Sequence, residues 1–274
     1  MSHRRKSRRP DAMARNADKY RLYQESVQDP ESDVSFAQRI FKKRYARPAR
    51  LLREDFCGAA AVACRWVASH RENRAFGVDI DPEPLAWGRE HNVALLSQEQ
   101  SDRLELIEGD VLTAEHELVD VTVAFNFSYF LFQKRRELVE YLAKAKSTLR
   151  EEGLLILDLY GGADAMRTMS ETREQEGFDY VWDQHRFDPV NNNAINYIHF
   201  EFPDGSRIHR AFHYDWRLWT MPEVHDVLEE VGFSDVEAYW EGTDQKTNEG
   251  NGIYHKVSMA PDDPAWVSYL VAVR

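Results

Sequence analysis

Between Ala49 and Leu159 the apolar residues of this chain alternate between two periods. Short apolar runs predict strands at Arg50 to Phe56, Arg74 to Asp79, Leu104 to Glu108, Val119 to Phe125 and Gly153 to Leu159. Helical spacing fills the intervals Ala60 to Ser69, Glu83 to Leu96 and Lys134 to Arg150. Such alternation predicts a parallel sheet with helices on both faces. After Tyr160 the period changes. Phe178 to Phe187, Ala194 to Phe202 and Ser206 to Leu218 alternate polar and apolar residues, divided by Asp188-Pro189 and Pro203-Asp204-Gly205. They predict an antiparallel sheet, inserted at about residues 161–218. Thr220, Pro222 and Gly232 then mark the cap, first turn and end of a helix, and Phe233 to Tyr239 and Ser268 to Val273 predict two closing strands. Ahead of the sheet, Asp18 to Tyr45 predicts two helices broken at Asp29-Pro30, with Tyr20, Tyr23, Phe36 and Phe41 to bury.

Composition narrows this picture little. Hydrophobic residues make up 43% of 274, enough for a sizeable core. The two cysteines, Cys57 and Cys64, share one turn-helix unit, so the chain predicts no disulfide framework and fits a reducing cytoplasm. No apolar run reaches membrane-spanning length. The net charge of −12 disfavours a nucleic-acid partner. Only the tail dissents: Arg4, Arg5, Lys6, Arg8 and Arg9 stand without an acid, and residues 1–17 read as a solvated, disordered basic segment.

The chemistry gathers at LLREDFCGAAA, Leu51 to Ala61, and AFGVDID, Ala75 to Asp81. This is strand, small-residue turn, helix, strand and acid, an arrangement that lets backbone approach a nucleoside and a carboxylate hold its ribose. Asp79 ends the second strand. Asp79 could cap the next helix, but Asp81-Pro82 fits that role better.

From about Ala49 to Arg274 the chain resembles the class I S-adenosylmethionine-dependent methyltransferases. LLREDFCGAA, VDIDPEPL, LIEGDVL, VDVTVAFNFSYFLF and EEGLLILDLY match that family's five motifs in order. The resemblance implies an α/β fold: a Rossmann-like seven-stranded methyltransferase sheet over residues 49–274, with the antiparallel insertion and an N-terminal helical cap over 18–48. It implies S-adenosylmethionine as cofactor. The first motif departs from its pattern. The family acid falls on Glu54, with Asp55 a possible replacement, and the three glycine positions fall on Phe56, Gly58 and Ala60. Phe56 in a glycine's place is expected to narrow the turn. By this resemblance Glu54 or Asp55 meets the methionine ammonium, Gly58 the cofactor backbone, and Asp79 the ribose. Asp110 meets the adenine amino group, Ile80 and Val111 sandwich the ring, and Asn126 completes the cofactor set.

Methyl transfer requires an acceptor lone pair held in line and water kept out. Asn126-Phe127-Ser128-Tyr129 sits where the acceptor is expected and lacks the Asn/Asp-Pro-Pro-aromatic tetrapeptide of enzymes acting on base amino groups. A small-molecule acceptor follows. The insertion is rich in aromatics, and these, with Tyr20 and Tyr23, are expected to close an apolar pocket. Tyr129, His213 and Tyr214 are the candidate catalytic side chains. Glu241 and Asp244 suit an amine acceptor, whereas His213 suits deprotonation of a hydroxyl; nitrogen is favoured. His209 and His213 share a strand face but lack a third ligand, so no metal is expected. A nucleotide-dependent oxidoreductase would want the glycines this turn lacks, and a non-catalytic cofactor-binding module remains the other reading.

Overall fold

Strands buried on both faces need a helix layer on each side, and the two innermost strands here, Leu51–Asp55 and Val119–Ala124, are buried along their whole length. The computed structural model describes residues 12–243 and 250–274. The basic tail and Asp244 lie outside the described residues. Five parallel strands form the frame: β1 (Leu51–Asp55), β2 (Arg74–Asp79), β3 (Leu104–Glu108), β4 (Val119–Ala124) and β5 (Leu149–Gly161). Every residue of β1 and β4 is buried. The helices are α1 (Ala12–Asn16), α2 (Lys19–Val27), α3 (Pro30–Tyr45), α4 (Ala61–Ser69), α5 (Pro82–His91), α6 (Gln98–Ser101), α7 (Arg135–Thr148) and α8 (Met221–Glu230). The insertion supplies β6 (Met169–Gln175), β7 (Phe178–Asp188), β8 (Asn193–Glu201) and β9 (Arg207–Arg217), and the chain closes with β10 (Asp235–Thr243), β11 (Gly250–Val257) and β12 (Trp266–Val273).

The main sheet runs β11-β10-β12-β5-β4-β1-β2-β3, with the last five parallel and β12, β10 and β11 antiparallel to their neighbours. It has eight strands, not seven. The extra one, β11, is an edge strand whose polar, glycine-rich sequence carries no alternation, and it pairs antiparallel with β10 on that edge. The insertion likewise has four strands: its outer strand, β6, is exposed along almost its whole length and its MSETREQ sequence gives no alternating apolar signal. Within the expected disordered tail of residues 1–17, the described part is corrected, because Ala12–Asn16 is a helix. Met13 and Ala14 donate their N–H groups to Asp204 and Ser206 in the β8–β9 turn.

Local chemistry sets the helix ends. Asp18 and Asp29 cap α2 and α3, with Pro30 in the first turn of α3, and Thr220 with Glu223 forms a reciprocal capping box on α8. One core layer lies under α7 and α8, around Tyr141, Leu142, Leu157 and Leu228. The other lies under α3 and α4, around Phe41, Leu52, Trp66 and Ile156. A third cluster joins Leu22 of α2 to Phe178, Ile198 and Phe200 on the inner face of the insertion sheet. α2 also reaches α5: Trp87 donates to Asp18, Asn92 to Gln24, and Lys19 pairs with Glu83. The N-terminal helices thus bridge the insertion and the sheet's carboxyl edge.

Candidate functional site

Strand order reverses between β1 and β4, and in open α/β sheets the crevice outside that reversal is where ligands bind. The loops there are unusual in backbone. Phe56, Gly58 and Ala60 have φ of 56°, 51° and 57°, and Asn126 and Phe127 of the facing loop both have 58°. Left-handed conformation costs a residue with a side chain about 1–2 kcal/mol. All three glycine positions of the turn therefore keep the glycine conformation, although two have lost the glycine. Phe56 does not narrow the turn. Its ring leaves the crevice and packs 5.4 Å from Tyr141 and 6.1 Å from Phe132, centre to centre. Gly58 faces open space, with no atom within 4 Å of where a Cβ would stand.

The missing glycines are answered from the other side of the contact. A Cβ on Gly88 of α5 would lie 2.5 Å from Ala59 O and 2.8 Å from its carbonyl carbon, while Asn92 donates to that same oxygen at 2.8 Å. Backbone atoms cannot swing aside, so Gly88→Ala forces α5 from the turn. The expected result is a loss of about 1–3 kcal/mol, read as a lower thermal midpoint.

Asp79 binds this turn to the second strand. Its Oδ2 accepts Gly58 N–H at 2.7 Å and its Oδ1 accepts Asp81 N–H at 2.9 Å, while Asp81 itself caps α5 through Glu83 N–H. Ile80, 69% exposed, stands beside it on the rim. Glu54 lies beneath the turn and accepts Ala63 N–H at 2.7 Å, at the start of α4. Asp55 points to the opposite face of β1, where Arg53 and Tyr141 occupy it, so it cannot replace Glu54 in the crevice. Asp110 is exposed after β3 and accepts Leu112 N–H. Val111 is buried in the core beneath, a correction to its expected place on a ring-binding face.

The crevice adjoins a cavity of about 610 Å³. Tyr160, Trp182, Tyr214, Trp216 and Trp266 give it aromatic walls; Asn126 and Phe127 line its inner end. Tyr23 reaches in from α2 and lines the cavity together with Tyr214. Acids complete it. Asp158, at the end of β5, accepts Asn126 N–H at 2.7 Å and Phe127 N–H at 2.9 Å. Asp33 of α3 accepts Tyr269 O–H at 2.8 Å, and Glu241 stands on the rim. Burial pushes Asp33 up to about 7, and Glu54 and Asp158 each up to about 8. Among the described residues no lysine or arginine pairs with Asp33, Glu54, Asp79 or Asp158.

No protein-family model and no curated protein matches this chain. Solved structures do. An S-adenosylmethionine-dependent methyltransferase from Clostridium acetobutylicum superimposes with a TM-score of 0.65 at 14% identity, over 93% of this chain and 97% of that one. The sugar N-methyltransferase KedS8 from Streptoalloteichus gives 0.62 at 16% identity, over 100% and 98%. CalS10, an amino pentose methyltransferase from Micromonospora echinaspora solved with S-adenosylmethionine, gives 0.65 at 14% identity, over 94% and 97%. The chain has the class I methyltransferase fold. Its departures within that fold are the eighth strand and the altered first turn.

Within this methyltransferase fold the three side chains expected to be catalytic part company. Tyr214 lines the cavity. Tyr129 does not: it is wholly buried in the core, with no partner for its hydroxyl among the described residues. His213 is exposed on the outer face of the insertion, stacked on Tyr197, and is no base for the cavity. Tyr20 also misses the cavity and packs between Trp87 and Phe212. Asp33, Asp158, Trp266 and Tyr269 were not singled out from sequence, although Asp158 carried a signal as a lone acid in the apolar run LLILDLY.

The raised acids carry a pH consequence. Folded proton affinities above the unfolded ones mean that the folded state binds more protons, so the stabilisation is full below about pH 4 and fades as pH rises through about 8. The ligand-free protein is expected to melt at a lower temperature near pH 8 than near pH 5.5, in scanning fluorimetry across that window.

Proposed function

We propose that the protein transfers a methyl group from S-adenosylmethionine to a nitrogen of a small-molecule acceptor. The observation that carries this reading is the set of carboxylates without cationic partners among the described residues, buried Glu54 and Asp158 and half-buried Asp79 and Asp33, which runs from the crevice into an aromatic-walled cavity. Such a space favours cations, and an amine meeting a sulfonium brings them there. The residues fit the cofactor: Gly58 leaves open space, Asp79 has acceptor capacity for a ribose diol, and exposed Ile80 offers an apolar face to a ring. Bound there, S-adenosylmethionine would supply an activated methyl group on a sulfonium. The chain's own part is positional. Tyr23 and Tyr214 close the cavity from above, Asp158 fixes the Asn126-Phe127 loop, and the aromatic walls exclude water.

The names of KedS8 and CalS10 support an aminated sugar as the acceptor class. The test is calorimetry with S-adenosylmethionine, followed by incubation with methyl-labelled cofactor and a panel of amino sugars and other amines, read by mass spectrometry. Labelled N-methyl product is the expected result. Absence of cofactor binding would sink the reading.

A further inference from the structure

We propose that Asp33 is the group that takes the proton from the acceptor's nitrogen. The inference deepens the nitrogen-acceptor reading above and rests on it. Asp33 stands where the two spaces meet: it lines the cavity and lies close enough to both Glu54 and Asp158 to raise the proton affinity of each. Half-buried itself, it is the one of these neighbouring acids left available. Asp158 has both oxygens engaged by backbone N–H groups, Glu54 holds the start of α4, and Asp29, on the same face of α3 one turn earlier, caps that helix through Ser32. Asp33 uses one oxygen, Oδ1, for Tyr269. No donor among the described residues reaches Oδ2.

The step is a proton transfer. An acceptor entering as an ammonium loses its N–H proton to Asp33 Oδ2; the N–H electron pair stays on nitrogen as the lone pair that methylation requires, and an O–H bond forms on Asp33. Groups facing Asp33 shape this exchange. Burial favours its protonated form and the negative Asp29 on its own helix adds to this, while Asp33 in turn raises the proton affinity of Glu54 on β1, Asp158 on β5 and Tyr254 on β11, the ionisable groups that face it. Tyr269 is a positioning residue. Its hydrogen bond orients the carboxylate and partly offsets that rise.

Sinefungin tests this without knowledge of the acceptor, because it carries an ammonium where the cofactor has its methylsulfonium. The measurement is the ratio of sinefungin to S-adenosylhomocysteine affinity, by calorimetry on the full chain. Wild type is expected to prefer sinefungin about tenfold near pH 8 and to lose the preference near pH 6, with a midpoint near 7. Asp33→Asn keeps an acceptor for Tyr269 and should abolish both the preference and its pH dependence. Tyr269→Phe should keep the preference and move its midpoint up by about one pH unit. A preference in Asp33→Asn equal to that of wild type overturns the inference and leaves the cofactor reading standing. Failure of both ligands to bind wild type overturns the cofactor reading and this inference with it.

Discussion

Asp79→Ala is expected to weaken S-adenosylmethionine binding about a hundredfold, near 2.7 kcal/mol. The substitution removes the proposed ribose acceptor and also frees Gly58 N–H and Asp81 N–H, so the turn loses its tie to β2. Asp81→Ala is the control. Asp81 only caps α5 through Glu83 N–H, so its loss should take about 1 kcal/mol from stability and leave affinity within a few-fold of wild type. The pair separates the ligand role of Asp79 from the capping role its sequence also permits. Equal affinity losses in the two variants would assign the effect to α5.

Arg53→Met should be the most damaging stability change, about 3–5 kcal/mol. Arg53 is fully buried, with Nε 2.5 Å from Asp55 Oδ1, Nη2 donating to Val111 O at 2.7 Å and Nη1 to His116 Nε2 at 2.8 Å. His116 Nδ1 meets Glu117 O, which places the ring proton there and leaves Nε2 to accept; burial pushes the ring's proton affinity down, in keeping with a neutral form. Removing the guanidinium leaves the Asp55 carboxylate buried with Tyr141 alone. The double variant Arg53→Met, Asp55→Leu removes both charges and should recover a large part of the loss. Chemical denaturation of the three proteins checks this, and a single-variant loss below about 1 kcal/mol would contradict it.

The parallel frame was legible because β4 and the Leu154–Leu159 run of β5 are apolar enough to announce burial on both sides, whereas β1 buries Arg53, Glu54 and Asp55 and was placed by the small-residue turn that follows it. The edges were not. β6 and β11 present polar residues to water, and an edge strand needs only backbone partners to form. At the site, the turn and Asp79 could be read from local order because ribose binding uses neighbours in sequence. Asp33 could not: a helix acid four residues after a capping acid looks like a solvated face until β12 brings Tyr269 against it. His213 and Tyr214 illustrate a rule the sequence did contain. Adjacent residues on a strand face opposite ways, so the cavity could take one of them, and the aromatic inner face of β9 selects Tyr214.

The left-handed turn at Phe56, Gly58 and Ala60 has a bearing on descent. Its path is imposed by surroundings: Cys57 N–H bonds Val78 O, Asn92 holds Ala59 O, and Gly88 leaves room for both. A shape enforced from outside frees the enforced residues to drift, so kinship with other chains of this fold should be sought less in the glycines of the turn than in the small residue of α5 that faces it.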